Sequence, residues 1–151
     1  MAIHIDRETL PYSPEQVFGL VADVERYPEF LPWLTSARID RRDGSRMWVE
    51  MLIDFHGLRG RLASEASLEP PERIDILGKG GPFRCFAQHW RFSSAEGGHT
   101  TVELAVEFEL WSHILQAATD VLQGEIVRAM VAAFKGRARD IYRTEGVPAG
   151  V

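Results

Sequence analysis

The sequence predicts an α+β fold in which a seven-stranded antiparallel sheet wraps around one long C-terminal helix. Three observations carry this expectation. Turn signals cut the middle of the chain at regular intervals, at Asp43-Gly44, His56-Gly57, Pro70-Pro71, Gly78 to Pro82 and Glu96-Gly97-Gly98. The segments between them have strand length and alternate with period two. After Leu110 the apolar spacing changes to steps of three and four, the period of a helix.

A first strand is expected near residues 2–10. Ser13-Pro14-Glu15-Gln16 then reads as an N-cap, a proline at the first helical position and a capping-box glutamine. Val17, Leu20 and Val21 follow at helical spacing. A second short helix is expected from Asp23 to just before Pro28. Tyr27 to Trp33 is a two-proline loop with three aromatics, Tyr27, Phe30 and Trp33.

Strands follow near 35–42, over Met47, Val49, Met51, Ile53 and Phe55, and over Leu58, Leu62, Ala66 and Leu68. A short one is marked by Ile74 and Ile76, the next by Phe86, Trp90 and Phe92, and the last by Val102, Leu104, Val106, Phe108 and Leu110. Short turns make neighbours antiparallel, because a parallel crossover needs about a dozen residues or more. The long helix is expected from Ser112 to Arg143, stopping at Gly146 and Pro148. Thirty residues of helix span about 45 Å, enough to cross the sheet. Gly124 interrupts it at a cost of about 1 kcal/mol relative to alanine, so a bend is expected there. A twisted sheet gripping a long helix cannot close along its whole length, and the space left becomes an apolar cavity.

Composition narrows the function classes. The 151 residues carry 17 Lys+Arg against 22 Asp+Glu, a net charge of −5, which argues against nucleic-acid binding by a whole-surface field and against a DNA partner. Hydrophobic residues at 45% and charged residues at 26% describe an ordinary globular chain, read as one domain over 1–151. The start of the chain has neither the basic nor the apolar region of an export signal. Cys85 is the single cysteine, so no internal disulfide and no zinc framework are expected. These bounds point to a cytoplasmic protein without a metal.

Four blocks of sequence carry a resemblance. Tyr12-Ser13-Pro14-Glu15-Gln16-Val17-Phe18 runs on through Val21-Ala22-Asp23-Val24-Glu25-Arg26-Tyr27-Pro28-Glu29-Phe30-Leu31-Pro32-Trp33. Phe55-His56-Gly57-Leu58-Arg59 matches an F-K-G-L/I-R turn with His56 in place of Lys. Pro70-Pro71-Glu72-Arg73-Ile74, then Gly81-Pro82-Phe83-Arg84 and Trp90-Arg91-Phe92, form the third, and Met130 to Phe134 with Ala138-Arg139 the fourth. In order and nearly along the whole chain, these resemble the coenzyme Q-binding, START-like family. That family lies in the polyketide cyclase/dehydrase and lipid transport superfamily and includes the ribosome-association toxins. Leu34 stands where members often have Cys, and Thr119, Asp120, Gln123 and Gly124 break a stretch that is usually more apolar.

The resemblance implies a helix-grip fold and a polyprenyl quinone, ubiquinone-like, held as a bound ligand and not as a catalytic cofactor. It implies a carrier or chaperone role in quinone biosynthesis or respiratory electron transport, with peripheral contact at the inner membrane. The residues expected to line the ligand cavity are Phe30, Trp33, Met51, Ile53, Phe55, Leu62, Phe86, Gln88, Trp90, Val106, Phe108, Leu122, Ile126 and Met130. Gln88 stands out as an uncharged donor and acceptor among aromatics. The mouth is expected beside Phe30, Leu31 and Trp33, with Ile114, Leu115, Ala118 and Leu122 nearest it, and the cavity should hold on the order of 300–1,000 Å³.

Two alternatives belong to other classes. Arg128, Lys135 and Arg139 fall on one stripe of the long helix, either a solvated face or a contact for ribosomal RNA phosphates on a ribosomal subunit. A cyclase or hydrolase would need a nucleophile–base pair or buried carboxylates inside the cavity. Glu50, Asp54, Glu65 and His89 fall opposite the apolar faces, so no catalytic residues are expected.

Overall fold

The computed structural model describes residues 3–55 and 57–144, so His56, Gly146 and Pro148 lie outside the described residues, as do the side chains of Leu58 and Arg143. Strand β1 (Ile3–Leu10) leads into helix α1 (Pro14–Ala22) and a 3₁₀ helix (Val24–Glu29). Six strands follow: β2 (Leu34–Asp43), β3 (Arg46–Phe55), β4 (Leu58–Glu69), β5 (Arg73–Gly80), β6 (Phe83–Ser94) and β7 (Thr100–Leu110). Helix α2 (His113–Thr144) closes the chain. All pairings are antiparallel, in the order β1-β7-β6-β5-β4-β3-β2; the short turns account for the pairs from β2 to β7, and β1 joins β7 across the length of the chain.

Ser13 caps α1 as its sequence predicts. Its hydroxyl accepts from the Gln16 amide at 3.2 Å, and its own amide donates to Gln16 Oε1 at 3.0 Å. The next element differs from expectation. It is a 3₁₀ helix that runs through Pro28. Proline removes a single donor from so short a segment, and its fixed φ suits 3₁₀ geometry. Strand β5 is also longer than Ile74 and Ile76 indicated, because Gly78 and Gly80, read as turn residues, continue the ladder. A side chain at Gly78 would meet the Ala63 carbonyl oxygen at 3.0 Å, so glycine there serves close packing of strands.

The concave face of the sheet and the inner side of α2 form one core. Leu104, Trp90, Met47, Ile74, Val127 and Ala138 are fully enclosed. At one end of the grip, β4 meets the β5–β6 turn so closely that a Cβ on Gly60 would stand 2.7 Å from the Gly81 Cα. Register shifts at Gly78/Gly80 and Phe83/Cys85 bend the ladder at that same end.

Helix α2 does not bury its first half as expected. Ile114, Leu115, Ala118, Val121 and Leu122 face outward, with Ile114 and Val121 each 83% exposed. The polar residues turn inward instead. Beyond Ile3↔Glu107, the outermost β1–β7 pair among the described residues, Gln116 of α2 meets the β7 backbone. Its Oε1 accepts from the Leu110 amide and its Nε2 donates to the Phe108 carbonyl at 3.3 Å. Gln123 Nε2 donates to the Val106 carbonyl at 3.0 Å. Backbone polar groups need partners, and satisfying those of β7 sets the helix's rotation. At Gly124 the finding is a close crossing: a Cβ there would lie 2.9 Å from Cε1 of His4 on β1.

Candidate ligand cavity

A cavity of about 110 Å³ lies between the sheet and α2. Met51, Ile53 and Phe55 of β3 and Leu62 and Ser64 of β4 form one wall. Ile76, Phe83, Phe86 and Gln88 form the floor, and Val106 and Phe108 of β7 the opposite wall. Tyr27, Leu31, Trp33 and Leu34 close it from the two-proline loop, and Thr119, Ile126, Met130 and Phe134 of α2 cover it. Period-two alternation puts the strand residues on one face, and steps of four and seven put the helix residues on one stripe. The half-buried members Trp33, Ile53, Phe55, Phe86, Gln88, Thr119 and Ile126 mark where the cavity meets the surface.

The volume is below the expected range because aromatic rings occupy the space. Phe83 packs edge-on against Phe86 at 5.5 Å and Phe108 at 5.9 Å, and Trp33 meets Phe55 at 6.0 Å.

Most of the expected lining residues come together here: Trp33, Met51, Ile53, Phe55, Leu62, Phe86, Gln88, Val106, Phe108, Ile126 and Met130. Three do not. Leu122 points outward for the reason given above. Phe30 lies behind the wall, edge-on to Phe134 at 5.1 Å, with the Arg137 guanidinium 5.2 Å from its ring. Trp90 is core, stacked on Phe92 at 6.2 Å and edge-on to Phe134 at 5.0 Å. Its indole N–H donates to Gln88 Oε1 at 3.1 Å and so is not offered to a ligand. Ser64, Ile76, Phe83 and Phe134 also line the cavity. Ile76 and Ser64 share a face with expected residues, and Phe134 follows Met130 by one helical turn, so the same periodicities could have found them. Thr119 carries no such signal.

Among the described lining residues Tyr27 alone is ionisable. Its hydroxyl donates to the Val21 carbonyl, and burial, reinforced by the Asp23 charge, pushes its pKa well above the ordinary tyrosine value. A neutral phenol bound to a carbonyl is a poor general base. Carboxylates and imidazole sit on the convex face instead. There Asp75 is 2.6 Å from His89 Nδ1 and 3.0 Å from Arg91. Burial pulls the Asp75 pKa up, but the hydrogen bonds from His89 and Arg91 outweigh it and leave it below the usual range. No cluster of His, Cys, Asp or Glu among the described residues could hold a metal. The basic stripe is also altered, since Lys135 is tied to Glu8 on β1 while Arg128 and Arg139 are exposed. No helix among the described residues is long and apolar enough to cross a membrane.

Known proteins are similar to this chain. The chain is 31% identical over 94% of its length to a ribosome association toxin, RatA, from Pseudomonas aeruginosa, and covers 99% of that protein. It is 29% identical over 95% of its length to the mitochondrial coenzyme Q-binding protein COQ10 homolog B of Xenopus laevis, of which it covers 60%. A START superfamily protein from Mycobacterium smegmatis superposes with a TM-score of 0.81 at 19% identity, over 92% of this chain and 98% of that one, and shows the common fold. The model of the polyketide cyclase/dehydrase and lipid transport family matches residues 10–135, and with that match the chain belongs to this family.

Proposed function

We propose that the protein binds a polyprenyl quinone in the cavity and carries or presents it in quinone biosynthesis or respiration. The observation that supports this most directly is the lining. Every described residue around the cavity is uncharged at neutral pH, and the rings of Trp33, Phe55 and Phe86 stand at the side open to the surface. The coenzyme Q-binding name of one relative supports the ligand class.

Size sets the mode of binding. A cavity of roughly 150 Å³ accommodates benzene, so about 110 Å³ admits a ring only where the lining yields and leaves no room for a tail. Met51 and Met130 on opposite walls can shift to admit ring substituents. The tail leaves between Trp33, Phe55, Thr119 and Ile126. Each methylene left in water costs about 0.8 kcal/mol, so a long tail needs cover. The outward apolar face of α2 adjoins this exit, and a membrane surface against it would receive the tail.

Protein purified from its own host should yield a quinone on organic extraction or native mass spectrometry. Added quinone should quench Trp33 fluorescence saturably. Ligand-free preparations together with no saturable quenching would sink the reading.

The toxin relatives support a second reading, docking to a ribosomal subunit. Arg128 and Arg139 are its exposed cations, and the engagement of Lys135 by Glu8 weakens it. It requires cosedimentation with subunits that falls steeply with salt and is lost in an Arg128→Glu, Arg139→Glu variant.

A further inference from the structure

We infer that Gln88 reads the ligand, and that the cavity selects a ring bearing a carbonyl-type acceptor through the Gln88 amide nitrogen. This deepens the quinone-class proposal and rests on it.

An amide's oxygen and nitrogen are distinguished by their partners. Here the partner is decisive, because an indole N–H only donates. Trp90 Nε1 lies 3.1 Å from the Gln88 side-chain oxygen, which must therefore be Oε1. Trp90 cannot turn away, being 1% exposed and held between Phe92 and Phe134. Gln88 thus keeps its Nε2, with both N–H groups, for another partner, and no described residue takes them.

The hydroxyls of the lining have already given up their protons. The Tyr27 hydroxyl donates to the Val21 carbonyl. Ser64 Oγ donates to the Val49 carbonyl at 3.4 Å. Thr119 Oγ1 turns back on its own helix, to the carbonyls of Leu115 at 3.0 Å and Gln116 at 3.1 Å. Among the described lining side chains only Trp33, at the mouth, and Gln88 keep N–H groups without a described partner, and of these Gln88 alone sits on the floor. An apolar ring with a carbonyl oxygen matches that donor. A ring without oxygen that covers it cuts the half-buried amide off from water and leaves it unsatisfied, and donors buried without partners are costly.

Duroquinone and durene test this, since they share one tetramethylated six-membered ring and differ in the two carbonyl oxygens. Equilibrium dialysis with the wild-type chain should show duroquinone bound about tenfold more tightly, the worth of one hydrogen bond. Gln88→Leu should bring the two affinities together while durene binding persists. Trp90→Phe, which releases the amide to rotate, should narrow the gap partway. Gln88→Met serves the same comparison if Gln88→Leu fails to fold. A preference for duroquinone that survives either Gln88 substitution overturns the assignment. Equal binding of both probes by the wild type also overturns it and leaves the cavity reading standing. If the wild type binds neither, the cavity reading falls and the assignment with it.

Discussion

Arg137, on the last third of α2, donates to Glu29 at 2.7 Å, and its guanidinium lies over the ring of the adjacent Phe30. This joins the C-terminal part of the long helix to the loop that closes the cavity. Hydrogen bonds from Arg137 and then Arg26 hold the Glu29 carboxyl below its ordinary pKa of about 4.5. A depressed carboxylate contributes stability above its unfolded pKa and loses it as pH falls through the folded value. Arg137→Ala should therefore lower Tm at pH 7, by less than a core truncation does. The gap from wild type should close as pH falls through the region below 4.5. Thermal melts across that range check it, and a gap independent of pH would show that Arg137 acts by packing on Phe30.

Phe134 joins three aromatics at once. Its ring is edge-on to Tyr27 at 5.2 Å, to Phe30 at 5.1 Å and to Trp90 at 5.0 Å. Truncating a buried Phe to Ala typically costs about 3–5 kcal/mol. Phe134→Ala should lose that much in urea denaturation, out of a total of roughly 5–15 kcal/mol for a domain. A loss below about 1 kcal/mol would mean that the cavity relaxes to fill the gap.

Val106 offers a way to separate binding from folding. Enlarging a residue in a closed core costs about 1–3 kcal/mol, but Val106 borders free space. Val106→Phe should hold Tm within a few degrees of wild type, since about 1 kcal/mol shifts a domain of this size by roughly 2–4 °C. Quinone quenching of Trp33 should disappear. Quenching that survives with a normal Tm would place the ligand elsewhere.

The strands and the inner stripe of α2 beyond Ile126 were legible because burial on one face writes its period into the sequence. Seven strands, their antiparallel order and most of the cavity walls follow from it. Residues whose orientation answers to a distant backbone group were not legible. Leu122 is apolar at helical spacing, yet it faces outward because Gln116 and Gln123 must reach β7. Trp90 was misplaced for a related reason, since two positions on one strand face differ in what lies above them. Phe86 lies under the gap and Trp90 under Phe134.

Gly124 poses two opposed terms. Alanine in a helix interior is favoured over glycine by about 1 kcal/mol. Against this, the new methyl would press on the edge of the His4 ring, 2.9 Å from Cε1. His4 is half-buried and turns about its own side-chain bonds, so helix propensity should win. Gly124→Ala is expected to raise Tm slightly, and Gly124→Leu to lower it by forcing α2 away from β1. A lowered Tm for Gly124→Ala would mean the His4 ring is fixed.

The outward face of α2 supplies the last test. Trp111 is 65% exposed, and Ile114, Leu115, Val121 and Leu122 are exposed on the first half of α2, the part of the helix that also carries the lining residue Thr119. Each of these side chains gains about 1.5–3 kcal/mol when fully removed from water. The cations around that end are largely neutralised within the protein: Arg59 pairs with Asp54 at 3.2 Å, and Arg84 with Glu109 at 3.1 Å. Attachment to a bilayer should therefore be driven by apolar burial, with little dependence on salt or on anionic lipid. A Trp111→Ser, Val121→Ser, Leu122→Ser variant should float poorly with phosphatidylcholine vesicles. Its Tm should stay close to wild type, because exposed substitutions usually change stability by no more than about 0.5 kcal/mol each. Flotation that needs anionic lipid and vanishes at high salt would transfer the contact to the arginines. Flotation unaffected by the triple substitution would remove this face from the exit route.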